Sequence, residues 1–405
     1  MTLAIWLARL IVGVTFMLSG ISKMIDPIGT LTQIEAYLAA WDFSSLFSRE
    51  MVLIGGCALS MVEFVIGMLV ATGSLRRSAP LLATLILSFM LPLTAYVAVA
   101  NPVADCGCFG DLLHISNWAT FGKNVVLMAL SVFLMYGNSL VGSLFQPWTQ
   151  WLQITFAMGY MFIIGILGYH EQPLIDFRPY RVGEPLVDTV GPQMAYVYVN
   201  QQGEEREFAD DELPDENSGW TFSEVRQIAA PTDKMLSLYS RETGEDVTDQ
   251  VLGTKPRQLL LLFPEPSAAT AAGSFTANEL NEYMSEHYGD GSFIGITDAK
   301  PKAVDEALDL MMAQYPVYFA DPKVIKAVAR GDMAVVCLSN GEVSWKRTLS
   351  SINLDKLSSK HQDISTIYLT HGVDKFVVLT LLFLCAEVVL ALLGAFPAFF
   401  RIRRK

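Results

Sequence analysis

Six long apolar runs constrain this chain more than any other feature of its sequence. A helix that crosses a bilayer needs roughly 20 mostly apolar residues, and each run reaches that length. The chain is 52% hydrophobic and only 17% charged, which is unlike an ordinary soluble protein. The sequence therefore predicts a polytopic α-helical membrane protein with spans near residues 3–24, 51–72, 79–99, 118–137, 151–170 and 375–396.

Basic residues close to the helix ends predict the orientation of these spans. Arg76 and Arg77 join the second and third spans, and the segment 401–405 after the last span is rich in arginine and lysine. With six spans, both clusters lie on one side, which we expect to be the cytoplasm. Both termini are then cytoplasmic and residues 171–374 are periplasmic, in a multi-pass protein of the bacterial inner membrane with membrane lipid as a partner.

The formal net charge of −13 is unevenly distributed, because most of the acidic residues lie between 171 and 372. A nucleic-acid-binding protein needs a basic face to neutralise phosphates, so the composition argues against nucleic acid as a partner.

Changes in composition divide the chain into five parts. Residues 1–137 form a four-helix membrane core, and 138–170 contain a fifth transmembrane helix. Residues 171–231 are a periplasmic β-rich linker region, and 232–364 alternate strand and helix patterns. Residues 373–405 carry the sixth transmembrane helix and a basic cytoplasmic tail.

The pattern over 232–364 is typical of a small α/β domain. "QLLLLF" predicts a strand that is buried on both faces, helices and strands then alternate, and "MAVVCLSNGEVSWKR" predicts a closing hairpin. This order resembles the thioredoxin fold. The C-x-x-C motif is replaced by "PEPSAATAAG", Met333 stands at the cis-proline position, and Cys337 reads as a small buried hydrophobe. We expect this domain to bind or present a partner instead of performing redox chemistry.

"DCGCFGD" at residues 105–111 is the first candidate for chemistry. Cys106 and Cys108 follow the third span, where the predicted topology places them at the periplasmic face and disulfides are permitted. A C-x-C disulfide is geometrically tight, and strained disulfides tend to be labile and oxidising. A membrane quinone can reach thiols at headgroup level. The alternatives are a permanent structural disulfide or two inert thiols. No metal is expected, because zinc requires four ligands.

Several polar residues are predicted to lie at the depth of the two cysteines. A lysine beside them favours the thiolate over the thiol or stabilises a quinone oxygen that gains charge, although a lone lysine at this depth is also typical of a snorkelling residue. This predicted supporting site consists of Lys23, Asp26, Asp105, Asp111, Lys123 and Asn124.

Arg9 in the first span and Glu63 in the second are ionisable residues within predicted membrane helices. Such residues usually face the bundle interior and have partners. Because the two spans run in opposite directions, we expect Arg9 and Glu63 to form a structural ion pair, with a proton path as the alternative.

Residues 1–137 resemble the DoxX/MauE group of redox-associated membrane proteins. The resemblance rests on "FMLSGISKMIDP", "EFVIGMLVATG" and "DCGCFGD" followed by "KN". It implies a four-helix core, a link to quinone-coupled sulfur oxidation or disulfide-dependent maturation of exported proteins, Cys106 and Cys108 as the redox pair, and Lys23, Asp26 and Lys123 around them.

Two hypotheses follow. In the first, the protein is a thiol:quinone oxidoreductase component whose Cys-x-Cys pair transfers electrons from the thiols of an envelope protein to a quinone. In the second, it is a non-enzymatic membrane scaffold whose thioredoxin-like domain binds an envelope partner, and the cysteines form a structural disulfide. Transport is a weaker alternative, because the spans lack evident internal repeats.

Overall fold

The computed structural model of the 405-residue chain separates into two compact units. Met1–Phe177 and Thr370–Lys405 form the first unit, and Arg178–Leu369 form the second. The residues that the structure describes are 1–102, 107–113, 115–186, 194–200, 205–208, 214, 220–227, 236–264, 268–298, 301–331, 333–354, 357, 363–368 and 372–402.

The α-helices of both units are numbered in chain order. They are α1 Thr2–Ile25, α2 Pro27–Ala40, α3 Arg49–Thr72, α4 Ser78–Ala100, α5 Asn117–Gly137, α6 Pro147–His170, α7 Thr248–Val251, α8 Ala268–Tyr288, α9 Pro301–Met311, α10 Pro322–Val328 and α11 Gly372–Ile402.

The first unit is a polytopic bundle of membrane helices. Among the described residues, six helices are long and apolar enough to cross a membrane, namely α1, α3, α4, α5, α6 and α11. This confirms the six predicted spans. Local signals in the sequence set their ends: Ser48 accepts a hydrogen bond from the Met51 amide at the start of α3, and Gly73 ends the same helix in the left-handed conformation.

Small residues hold α1 and α3 close together in antiparallel register. Gly13 of α1 lies against Gly67 of α3, and Gly20 lies against Ser60. Small side chains allow the backbones of two membrane helices to approach closely. Seven residues separate the two contact points on each helix, and this register places Ser19 beside Glu63.

The described residues of the second unit form two β-sheets. Its strands are β1 Met194–Asn200, β2 Glu205–Phe208, β3 Trp220–Gln227, β4 Arg257–Leu262, β5 Phe293–Thr297, β6 Val317–Phe319, β7 Ala334–Ser339 and β8 Glu342–Thr348. The first sheet has the order β2-β1-β3 and is antiparallel. The second has the order β6-β5-β4-β7-β8, with β4, β5 and β6 parallel and β7 and β8 antiparallel.

The five-stranded sheet is covered by apolar side chains on both faces. Leu259 and Leu261 of β4 join one core, and Leu260 and Leu262 join the other. This alternation is the period-two geometry of a strand, and it confirms that "QLLLLF" is a strand buried on both faces. Cys337 of β7 lies in the first core and is fully buried, as the sequence predicts.

Candidate functional site

The candidate site begins with the loop at residues 107–113, which lies between α4 and α5. Cys106 and Asp105 lie outside the described residues, so Cys108 is the cysteine of the motif that can be placed. Gly107 and Gly110 have φ values of +65° and +52°, a left-handed conformation that favours glycine. The Gly110 amide donates a hydrogen bond to the Gly107 carbonyl (3.0 Å), and Gln33 of α2 packs directly against Gly107. The two glycines thus allow the tight turn that presents Cys108.

A buried ion pair lies beside this loop. The Lys23 ammonium of α1 donates to both carboxylate oxygens of Glu63 of α3, at 3.0 Å and 2.8 Å. The two side chains are only 12% and 6% exposed. Ionisable groups within a membrane bundle are stabilised by such partners, so this pair explains why both residues occur inside predicted spans.

Ser19 connects the ion pair to the cysteine loop. Its hydroxyl oxygen lies 2.9 Å from Oε2 of Glu63 and 2.7 Å from the carbonyl oxygen of Cys108. A serine hydroxyl has one hydrogen to donate, so it can donate to one of these two acceptors at a time. The main chain of Cys108 and the carboxylate of Glu63 therefore share one hydrogen-bond donor.

α5 supplies the opposite wall of the site. Lys123 places its ammonium 4.3 Å from the ring centroid of Phe109, a cation–π contact with the residue that follows Cys108. The neighbouring Asn124 is buried and donates a side-chain hydrogen bond to Thr94 of α4 at 3.2 Å. α5 thereby holds a second cation beside the loop.

These groups line a small cavity with a volume of about 40 Å³. One water molecule needs roughly 10–15 Å³, so the cavity has room for two or three. Small-molecule pockets usually exceed about 300 Å³, so the cavity that the described residues form is smaller than a typical small-molecule site. The described residues that line the cavity are Thr15, Phe16, Ser19, Lys23, Glu63, Ile86, Leu87, Met90, Cys108, Lys123, Asn124 and Leu127.

The predicted ion pair between Arg9 and Glu63 is wrong. Arg9 donates its Nε hydrogen to Oδ1 of Asn138 (2.6 Å), and its terminal nitrogens donate to three carbonyl oxygens between residues 138 and 142. The register of α1 on α3 explains the error. Glu63 lies level with Ser19, ten residues from Arg9, and ten helical residues span about 15 Å.

The remaining predicted supporting residues have different positions. Asp26 accepts a hydrogen bond from the Gly29 amide (2.8 Å) and caps the start of α2. Asp111 lies in a short 3₁₀ turn at Gly110–Leu112 and does not line the cavity. The structure therefore brings Lys23, Lys123 and Asn124 together with Cys108, and it gives Asp26 a role as a helix cap.

The sequence analysis did not identify Ser19 as a site residue, and it assigned the wrong ion-pair partner to Glu63. Ser19 lies four residues before Lys23, on the same face of α1, which is the one signal that links it to the site. Glu63 gave a clear signal as a carboxylate within a span, but the sequence alone does not tell which cation reaches it.

Comparison with known families supports the assignment of the membrane core. Residues 1–137 match the family described as methylamine utilisation protein MauE. The MauE match ends with α5, so it contains Ser19, Lys23, Glu63, Cys108 and Lys123 but neither α11 nor the second unit. No curated protein matches the chain.

Proposed function

We propose that this MauE-like membrane protein is a redox accessory protein whose Cys106–Cys108 pair exchanges electrons with the thiols of an envelope protein. The observation that carries the proposal is the position of Cys108. It lines a small cavity together with two lysines and a carboxylate. Perturbing charges around a cysteine are typical of reactive thiols.

The proposed reaction is thiol–disulfide exchange. A thiolate of the partner attacks the Cys106–Cys108 disulfide, and one sulfur of the pair leaves as a thiolate. The second partner thiolate then attacks the mixed disulfide, which leaves the partner oxidised and both cysteines reduced. Two electrons and two protons pass from the partner to the pair. Lys123 stabilises negative charge on the leaving sulfur.

Reoxidation of the pair requires a two-electron acceptor, for which the sequence suggests a membrane quinone. The cavity that the described residues form beside Cys108 is smaller than a typical small-molecule site, so this geometry supports no step through quinone. Depletion of quinone in cells tests this acceptor directly.

We further propose that the second unit is a thioredoxin-like domain that binds the partner protein. Its support is the mixed five-stranded sheet, in which a parallel β4–β5 pair adjoins the antiparallel β7–β8 hairpin. Within the described part of this unit Cys337 is fully buried, and burial raises the pKa of its thiol. This supports a binding role. The basic residues at 76–77 and 401–405 support the proposed orientation, with residues 171–374 in the periplasm and both termini in the cytoplasm of a bacterial inner-membrane protein.

The alternative is a non-enzymatic scaffold in which the Cys-x-Cys pair is a structural disulfide. The anchoring of the loop favours this candidate, because Gly107 packs against Gln33 and Ser19 contacts the Cys108 carbonyl. A firmly held loop suits a permanent crosslink, which needs no movement of its cysteines.

The redox state of Cys106 and Cys108 in cells distinguishes these functions. Thiols are trapped with acid and alkylated with a mass tag in a chain whose other three cysteines are replaced by alanine, with and without depletion of the quinone pool. A pair that becomes reduced on depletion passes electrons to quinone. A mixture of reduced and oxidised pairs whose ratio does not change on quinone depletion supports thiol exchange with another acceptor. A pair that is always oxidised contradicts exchange and supports the scaffold.

A further inference from the structure

The five-stranded sheet of the second unit has two edge strands, β6 and β8. An edge strand presents main-chain groups that another strand can bind. At β8 the chain covers its own edge with the segment 183–186. The Gly183 amide donates to the Val343 carbonyl at 2.8 Å, and the Val343 amide donates to the Glu184 carbonyl at 3.0 Å.

The β6 edge is covered over a shorter length. Tyr239 and Phe319 exchange two main-chain hydrogen bonds, at 2.8 Å and 3.0 Å. The chain then leaves the edge in a turn, which the Ser240 amide closes by donating to the Glu245 carbonyl at 2.9 Å. Among the described residues, Tyr239 is the residue that pairs with β6 on this side.

Val317 is the β6 residue that this arrangement leaves open. In the parallel pairing of β5 with β6, the residues on either side of Val317 make the hydrogen bonds to β5. The Gly295 amide, for example, donates to the Pro316 carbonyl at 2.8 Å. The amide and carbonyl of Val317 therefore point away from β5, toward the open edge.

A cleft with a volume of about 680 Å³ lies at this edge. Its volume is within the usual range for ligand sites, about 300–1,000 Å³, but such sites for small molecules are mostly apolar. Most side chains that line this cleft are polar or charged, which favours a peptide over an apolar ligand. The described residues that line it are Ser240, Arg241, Glu242, Asp305, Leu308, Asp309, Ala313, Tyr315, Pro316, Val317 and Tyr318.

The charge of the cleft is negative. Three carboxylates line it, those of Glu242, Asp305 and Asp309, against one guanidinium, that of Arg241. Arg241 pairs with Asp305 at 3.0 Å, which leaves the charges of Glu242 and Asp309 in excess. Both of these side chains are exposed. Complementary charge is how a polar surface selects its partner, so the cleft suits a basic ligand.

We propose that this cleft binds an extended basic segment of the partner protein. The segment adds a strand to β6 beside Val317, and its lysine or arginine side chains lie against Glu242 and Asp309. In strand addition the main-chain hydrogen bonds supply affinity and the side chains supply specificity. The inference rests on the proposed binding role of the second unit, and it names the chemistry of the partner.

The test uses a fluorescein-labelled octapeptide of alternating lysine and valine, with fluorescence anisotropy measured on the full-length chain in lipid nanodiscs. The unmodified chain is expected to bind this peptide and to bind the matching glutamate–valine peptide at least about tenfold more weakly. Asp309→Lys reverses one charge of the cleft and is expected to weaken binding of the lysine–valine peptide about tenfold.

Glu342→Lys is the matched control for charge. Glu342 is exposed and belongs to β8, at the opposite edge of the same sheet, so its reversal changes the net charge of the chain equally but leaves the cleft unaltered. Binding to Glu342→Lys is expected to stay within about twofold of that to the unmodified chain, because a distant exposed charge is screened by salt.

Two methylated peptides test the strand pairing itself. One carries N-methyl groups on its lysine amides, and the other carries them on its valine amides. Alternate amides of a strand point to opposite sides, so one of the two peptides should lose binding about tenfold while the other keeps it. Attraction by charge alone predicts equal binding of both.

The inference is overturned if the lysine–valine peptide does not bind, if Asp309→Lys binds it as the unmodified chain does, or if both methylated peptides bind equally. Dimerisation of the chain that Asp309→Lys abolishes would assign the β6 edge to a second copy and would also overturn it. Peptide binding requires no electron transfer, so the result is separable from the proposed redox function. A Cys106–Cys108 pair that is always oxidised in cells would contradict thiol exchange and leave the docking cleft standing.

Discussion

Gly13 of α1 and Gly67 of α3 lie so close that a Cβ atom on either residue would be 2.7 Å from the carbonyl oxygen of the other. Real Cβ atoms essentially never approach backbone atoms this closely. The contact therefore requires glycine on both helices, and it fixes the register that brings Ser19, Lys23 and Glu63 together. The chemistry of the site thus depends on two residues that have no functional groups.

Gly67→Ala is expected to destabilise the membrane unit by about 1–3 kcal/mol, because the added methyl group overpacks the α1–α3 contact. Gly55→Ala in the same helix is the matched control. A Cβ on Gly55 meets no atom within 4 Å, and alanine is a better helix former than glycine. The melting temperatures of the two variants are compared by circular dichroism during thermal unfolding of the full chain in the same detergent. Equal melting temperatures would contradict the proposed contact.

Arg9→Lys is expected to destabilise the same unit by about 2–4 kcal/mol, although the charge is retained. The guanidinium donates to four acceptors between Asn138 and Gly142. A lysine ammonium does not reproduce this planar fork, and each buried acceptor that loses its donor costs about 1–3 kcal/mol.

The control for this variant is Arg77→Lys, because Arg77 is exposed and a surface substitution usually changes stability by less than about 0.5 kcal/mol. Thermal melting of both variants in detergent measures the difference. If the Arg9→Lys and Arg77→Lys variants have the same melting temperature, then Arg9 does not anchor the segment between α5 and α6.

The sequence predicts the spans well because the length of an apolar run is a local property. α3 was expected at 51–72 and occupies Arg49–Thr72, and α5 was expected at 118–137 and occupies Asn117–Gly137. Strand β4 was equally readable, because burial on both faces leaves a continuous apolar run in the sequence.

The sequence did not predict which ionisable side chains form ion pairs inside the bundle. Arg9, Lys23 and Glu63 are all visible as ionisable residues in spans, but the pairing of Glu63 depends on which residues of α1 and α3 are level. Close contacts at Gly13, Gly20, Ser60 and Gly67 determine that register. Ser19 carries no signal of its own, since serine is common in membrane helices as a small residue.

Cys337 is expected to resist alkylation in the native chain and to react only after unfolding. Its side chain is fully buried in β7, and burial raises the pKa of its thiol, so the reactive thiolate is neither formed nor accessible. Site-resolved mass spectrometry after iodoacetamide treatment, with and without urea, measures this directly. Modification of Cys337 in the native chain as fast as that of reduced Cys108 would show a reactive thiol in the second unit and would contradict its proposed role as a domain that only binds.

The ion pair between Arg257 and Asp363 is expected to make the second unit sensitive to acid. Nε of Arg257 donates to Oδ1 (2.7 Å) and Oδ2 (2.9 Å) of Asp363, and a terminal nitrogen also pairs with Oδ2. These hydrogen bonds lower the pKa of Asp363 from its ordinary value of 3.8 to about 2. Because the folded pKa is the lower one, the contribution is fully present above about pH 4 and is lost as the pH falls toward 2.

Asp363→Asn should therefore destabilise the second unit at neutral pH. In this variant the free energy of unfolding should also decrease less as the pH falls from about 4 to about 2. The Asp363 side chain is 37% exposed, so solvent screening limits the expected effect to about 1 kcal/mol. Asp305→Asn is the control, because Asp305 pairs with Arg241 at 3.0 Å but is 62% exposed. Near-UV circular dichroism of the full chain during heating, at a series of pH values, reports the unfolding. Identical acid profiles for Asp363→Asn and the unmodified chain would show that the pair contributes nothing, since the stabilising carboxylate is the only titrating group that the substitution removes.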